Sequence, residues 1–102
     1  MPQFIYVLKP ARTGLTSTMT PKEEAIVKEH FQYLQAKLQK RELYLAGRTL
    51  DKEPFGIAIF HAETQEAARE FMANDPALKN HVMTAELHPY RIALMGSLFD
   101  DH

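Results

Sequence analysis

The side chains best suited to chemistry in this sequence are its histidines, one aspartate that precedes a proline, and three arginines. His30 lies midway along a segment where Val27, Phe31, Leu34 and Leu38 recur at helical spacing. An imidazole titrates near neutrality, so His30 is a candidate general base or acid. The more common reading of such a residue is a half-buried histidine bonded to a neighbour or to water. Asp75 precedes Pro76. A carboxylate there can cap a helical turn that begins with proline. It can also orient an imidazole and fix its tautomer, if the fold brings the two within hydrogen-bond reach. Arg12, Arg48 and Arg91 can each grip a substrate carboxylate or stay solvated. His61, His81 and His88 show no His-X-His or i, i+4 spacing, even with His30 included, so no metal site is expected. The sequence has no cysteine, which excludes disulfides, thiolate metal sites and cysteine nucleophiles.

The elements that must position these groups are legible in outline. Phe4 to Leu8 is a continuous apolar run and reads as a strand. Residues 10–19 form a loop longer than the usual connection of ~2–6 residues, either a lid or a passive link. Thr20-Pro21-Lys22-Glu23 starts a helix: Thr20 caps, Pro21 suits the first position, and Glu23 closes a capping box. The stripe from Val27 to Leu38 is its expected buried face. Leu43 to Ala46 reads as a second strand ending near Gly47, Asp51 to Pro54 as a turn, and Phe55 to Phe60 as a third strand. Thr64 caps a second helix, with Glu66 in its first turn and Ala67, Ala68, Phe71 and Met72 on its apolar side. Asp75-Pro76 breaks that helix, and residues from about Val82 to Met95 form the last strand. One domain is expected over 1–96, with 97–102 a flexible tail.

The order β-α-β-β-α-β is the split β-α-β signature. It predicts an α+β, ferredoxin-like domain: a four-stranded antiparallel sheet with two helices on one face. Pro89 then belongs on an edge strand. Strands one and three do not alternate apolar with polar, as a sheet with one wet face should. A second copy of the chain is the simplest cover for the other face, so a homodimer is expected. The formal net charge of −1 gives no broad attraction to nucleic acid or to an anionic membrane. No apolar run approaches the ~20 residues that span a bilayer. The start lacks the pattern of a signal peptide, so a cytoplasmic setting is expected. RNA-recognition domains share this strand order, and Ile5-Tyr6-Val7 fits their first strand. The third strand lacks their basic residue and has Ile57 at the central base-stacking aromatic, so no nucleic-acid partner is expected.

Taken together, several segments resemble the YCII-related proteins, a family of the dimeric α+β barrel superfamily with a muconolactone isomerase-like fold. These are Thr20-Pro21-Lys22-Glu23-Glu24 leading to His30-Phe31-Gln32-Tyr33-Leu34, the strand end Leu45-Ala46-Gly47, and Thr64-Gln65-Glu66-Ala67. Asn74-Asp75-Pro76-Ala77-Leu78-Lys79 and His88-Pro89-Tyr90-Arg91-Ile92 complete the likeness. The resemblance implies a dimer with sheets packed face to face, a small cleft in each subunit, and a His–Asp pair that falls on His30 and Asp75. It implies cofactor-independent acid–base chemistry on a small molecule, as an isomerase or an eliminating lyase. Arg12, Arg48 and His81 are then candidates for holding the substrate. The chain departs from the family pattern at Arg41 and at His81, where glycine is frequent, and at Arg48, where proline is frequent. The competing expectation is a non-catalytic dimeric module that binds a small ligand or another domain. A bonded His30–Asp75 pair open to solvent beside an arginine favours the enzyme. A His30 closed to solvent favours the module.

Overall fold

The computed structural model describes residues 1–96, so the tail expected at 97–102 lies outside the described residues. Along the chain come β1 (Gln3–Pro10), a short 3-10 turn (Leu15–Ser17), α1 (Pro21–Gln39), β2 (Leu43–Arg48) and β3 (Gly56–His61). Then follow α2 (Gln65–Ala73), α3 (Pro76–Lys79) and β4 (Met83–Tyr90). The strands form one antiparallel sheet in the order β2-β3-β1-β4. This is the ferredoxin-like arrangement, with β1 bonded on both sides and Pro89 on an edge strand. The last strand stops at Tyr90 rather than near Met95, because Tyr90 already pairs with Gln3, the first residue of β1.

Alternation along β1 sends Phe4, Tyr6 and Leu8 to one face, where they pack with Ala58 and Phe60 of β3 and Leu34, Ala68 and Phe71 of the helices. Aromatic rings dominate this core: Phe60 stacks on Phe71 at 4.0 Å, and Tyr6 meets both edge-on at 5.7 and 6.1 Å. A smaller cluster of Leu15, Ile26 and Val82 seats the 10–19 loop under the start of α1. The opposite face carries Ile5 and Val7 of β1, paired with Ile59 and Ile57 of β3. A bulge in β2 between Leu43 and Leu45 turns Leu45 onto that same face, opposite Ile59.

The first helix begins as expected, with a complete capping box between Thr20 and Glu23. Its buried stripe differs from the expected one. Ile26 and Leu34 are buried, and Val27, His30, Tyr33 and Lys37 are half-buried, whereas Phe31 and Leu38 are 64% and 52% exposed. The reason is polar. His30 and the Tyr33 hydroxyl each find a partner inside, at Asp75 and at the Phe71 carbonyl, and the helix turns to let them reach it.

Both α1 and α3 end in the same way. Glu42 N–H donates to the Lys37 carbonyl and Arg41 N–H to that of Leu38, while Val82 donates to Ala77 and His81 to Leu78. These are Schellman ends, which place the residue after the cap in the left-handed region. That residue is Arg41 with φ 63° in one and His81 with φ 58° in the other. Arg41 and His81 are therefore the two described non-glycine residues at which a Cβ is strained. Left-handed backbone costs a non-glycine residue ~1–2 kcal/mol, partly offset by the greater unfolded-state freedom of glycine. Arg41→Gly and His81→Gly should each stabilise the fold by about 0.5–1 kcal/mol. Urea unfolding measures this, and a lowered midpoint in both variants would contradict it.

Candidate functional site

Asp75 owes its place to the proline behind it. A residue before proline avoids the helical region, so α2 ends at Ala73 with Asn74 as its cap, and Asp75 adopts an extended backbone with φ −63° and ψ 124°. Pro76 then opens α3, and the Asp75 side chain turns inward and is fully buried. Its Oδ1 accepts the Ala77 N–H at 2.9 Å, the cap expected from the sequence. Its Oδ2 accepts the Tyr6 hydroxyl at 2.8 Å. His30 Nδ1 approaches both oxygens, at 2.7 and 2.8 Å.

The two residues singled out for acid–base chemistry thus meet, though 45 positions apart in the chain. Both oxygens facing Nδ1 are acceptors, so Nδ1 carries the proton and the neutral ring keeps its lone pair on Nε2. Nε2 bonds nothing among the described residues. No buried polar side-chain atom there lacks a partner, so Nε2 reaches the surface through the 15% of the His30 side chain that stays exposed.

Tyr6 is the member of this group that sequence reasoning missed. Its signal was available: a tyrosine between Phe4 and Leu8 on the inward side of a buried strand must find an acceptor for its hydroxyl. The same burial removes it as a platform for stacking bases, since none of it is exposed. Burial, reinforced by the charge of Asp75 and the hydrogen bond to it, pushes the Tyr6 phenol well above its ordinary value. It remains a donor and does not exchange protons near neutral pH. Burial, with the charges of Asp75 and Glu42, also raises Tyr33, to about 12.

The three residues expected to hold a substrate do not join the pair. The Arg12 guanidinium spans Glu23, at 2.7 and 3.2 Å, and Thr18, whose hydroxyl and carbonyl both lie at 2.8 Å. It fastens the 10–19 loop to the first turn of α1, and with the Thr20 backbone it holds the Glu23 carboxyl down near about 2. Arg48 is exposed at the end of β2 and, among the described residues, reaches only the Thr49 carbonyl, at 3.3 Å. His81 is exposed at the Schellman end of α3. Neither of two surface cavities reaches His30 or Asp75. One, of about 320 Å³, lies between α1 and α2 and is lined by Tyr33, Lys37, Glu42, His61, Phe71 and Asn74 among others. The other, of about 250 Å³, lies around Leu45, Gly47, Arg48, Phe55 and Ile57. Among the described residues, no cluster of three or more histidine, aspartate or glutamate side chains is poised for a metal ion, and no helix is long and apolar enough to cross a membrane.

Among solved structures, the chain is similar to 5-chloro-2-hydroxyhydroquinone dehydrochlorinase (TftG) from Burkholderia phenoliruptrix AC1100, in complex with 2,5-dihydroxybenzoquinone. The TM-score is 0.64 at 18% identity, over 86% of this chain and 93% of that one, a likeness of fold. No curated protein matches the chain. The model of the YCII-related domain matches residues 4–89, and with that span covering both His30 and Asp75 the chain belongs to the YCII-related domain family.

Proposed function

We propose that this protein is a small-molecule enzyme in which His30 moves a proton at a carbon beside a carbonyl, or on an oxygenated ring, without a bound cofactor. The observation that carries the proposal is the commitment of His30 Nδ1 to the buried Asp75 carboxylate, with Nε2 left unbonded. The Nε2 lone pair takes the proton, and the C–H electron pair moves into the carbonyl to give an enolate. Asp75 holds the ring and balances the imidazolium that forms. Returning the proton to another carbon completes an isomerisation. Expelling a leaving group with the electron pair completes an elimination. The similar fold of a dehydrochlorinase, an enzyme named for the second outcome, supports that branch.

The test is an NMR screen in D2O of small carbonyl compounds and hydroxylated or chlorinated ring compounds, with 2,5-dihydroxybenzoquinone as a binding probe. At least one compound should gain deuterium or lose its leaving group. His30→Ala should slow that reaction by about 10²-fold or more, the usual weight of a general base. Equal turnover by wild type and variant would contradict the proposal. One observation favours the alternative, a non-catalytic module: the 320 Å³ cavity lies away from His30. Probe-induced shifts confined to Tyr33, Lys37 and Phe71, with His30 unmoved, would support it.

The active form in this proposal is a cytoplasmic homodimer. A second copy covers the outer face of the sheet, where Ile5, Val7, Leu45 and Ile57 would otherwise meet water.

A further inference from the structure

We propose that Tyr6 is a positioning residue of the His30–Asp75 unit, its hydroxyl fixing the carboxylate against the sheet and setting how strongly that carboxylate holds Nδ1–H. The inference rests on the acid–base reading of His30 only for its consequence in catalysis; the coupling itself is a property of the free protein.

The need for such a residue follows from where Asp75 sits. It occupies the joint between a nine-residue helix and a four-residue one. One backbone bond, from Ala77 N–H to Oδ1, ties its carboxylate to α3. That bond alone leaves the carboxylate free to swing about the Oδ1 contact. Tyr6 supplies the second anchor, at Oδ2, and it comes from the most constrained element of the fold. β1 is paired on both sides, with Tyr6 opposite Ala58 in one neighbour and Leu87 in the other. The tyrosine ring is in turn gripped edge-on by Phe60 and Phe71, which stack on each other. The hydroxyl therefore has one place to go, and the carboxylate is held at both ends.

The same bond tunes the pair. A carboxylate that accepts several donors shares its negative charge among them, so each donor is held less strongly than it would be alone. Oδ2 serves both the Tyr6 hydroxyl and His30 Nδ1, while Oδ1 serves Ala77 N–H and Nδ1. With the hydroxyl removed, the fully buried carboxylate leans harder on its two remaining donors. The titratable groups meeting here are His30 and Tyr33 from α1, Asp75 from the α2–α3 joint and Tyr6 from β1, and the two tyrosines stay neutral near pH 7. A phenylalanine at position 6 would fill the same space among the rings, so packing does not require the hydroxyl.

The experiment reads the proton resonances of His30 Nδ1–H and Ala77 N–H in wild type, in Tyr6→Phe, and in protein with 3-fluorotyrosine placed at position 6. Tyr6→Phe should move both resonances downfield, as the carboxylate tightens on the donors it keeps. The fluorinated phenol is a stronger donor, so it takes more of Oδ2 and should move His30 Nδ1–H upfield. Opposite shifts from two near-isosteric changes mark tuning through the hydrogen bond; a general loosening of the core would weaken the contact in both. Should Tyr6→Phe fail to fold, the fluorinated protein decides alone. Unmoved resonances in folded protein would overturn the inference. Opposite shifts without turnover of any compound would keep it and sink the enzymatic reading. Turnover that depends on His30, with unmoved resonances, would do the reverse.

Discussion

Replacing Asp75 with alanine should cost about 3–5 kcal/mol of stability, the combined weight of the three donors that its buried carboxylate satisfies. The residue is fully buried and is the meeting point of three elements. Its loss strands the Tyr6 hydroxyl, also fully buried, at about 1–3 kcal/mol for an unsatisfied buried group. It also removes the cap of α3, which typically contributes about 1 kcal/mol. Against a total of about 5–15 kcal/mol for a domain, that is enough to unfold much of the chain at moderate temperature. Asp75→Asn should fall between wild type and alanine. As a cap alone asparagine would serve nearly as well. Here its amide nitrogen would replace an acceptor with a donor and face either the Tyr6 hydroxyl or Ala77 N–H. Denaturant unfolding of the two variants measures the difference. A loss under about 1 kcal/mol for Asp75→Ala, the value of an exposed pair, would contradict the description of this site.

The second large effect concerns the outer face of the sheet. The protein should sediment as a dimer at micromolar concentration, and Val7→Asp should make it a monomer. Val7 sits on central strand β1, directly opposite Ile57, with Ile5 and Ile59 in the next row outward. An interface of obligate type that covers this face buries more than ~2,000 Å² in total, and a second carboxylate there, beside Glu86 which pairs with Val7 from β4, cannot be solvated or compensated. Uncompensated burial of that charge costs about 3–5 kcal/mol, a weakening of more than a hundredfold in association. The inward core of Phe4, Tyr6 and Leu8 faces the other way, so the monomer should keep its fold. Sedimentation equilibrium and circular dichroism together read both statements. A monomer mass for the wild type at these concentrations would contradict the dimer, and an unfolded Val7→Asp chain would contradict the two-faced account of the sheet.

The sequence carried the fold through local signals that need no knowledge of long-range contacts. Thr20, Pro21 and Glu23 specify a helix start by themselves, and Asp75-Pro76 specifies a break. Four strands and two long helices then admit few topologies. The rotation of α1 was not legible, because periodicity ranks Phe31 above His30 and Tyr33 as a core residue. Only the tertiary partners of those two, Asp75 and the Phe71 carbonyl, reverse that order. The end of β4 was set by the start of β1, again a partner rather than a propensity. At the candidate site, residue type made His30 and Asp75 candidates and the resemblance to the YCII-related family paired them; their contact across 45 positions is visible only in the fold. For Arg12 the sequence left a substrate grip or a solvated side chain open, and the four hydrogen bonds to Glu23 and Thr18 that tie it to its own loop come from the fold. Tyr6 was passed over because its aromatic character drew notice before its hydroxyl did.

The most direct measurement of the central claim is the protonation pattern of the His30 ring in the wild-type protein, read from long-range proton–nitrogen correlations at a pH where the ring is neutral. The bonded pair fixes the proton on Nδ1, toward Asp75, and leaves Nε2 as the bare nitrogen at the surface. The account predicts a protonated Nδ1, with its proton shifted downfield by the carboxylate, and a lone-pair-bearing Nε2. A proton on Nε2, or a ring averaging between the two forms, would contradict it, because His30 would then have neither the orientation nor the free base on which the proposed chemistry depends.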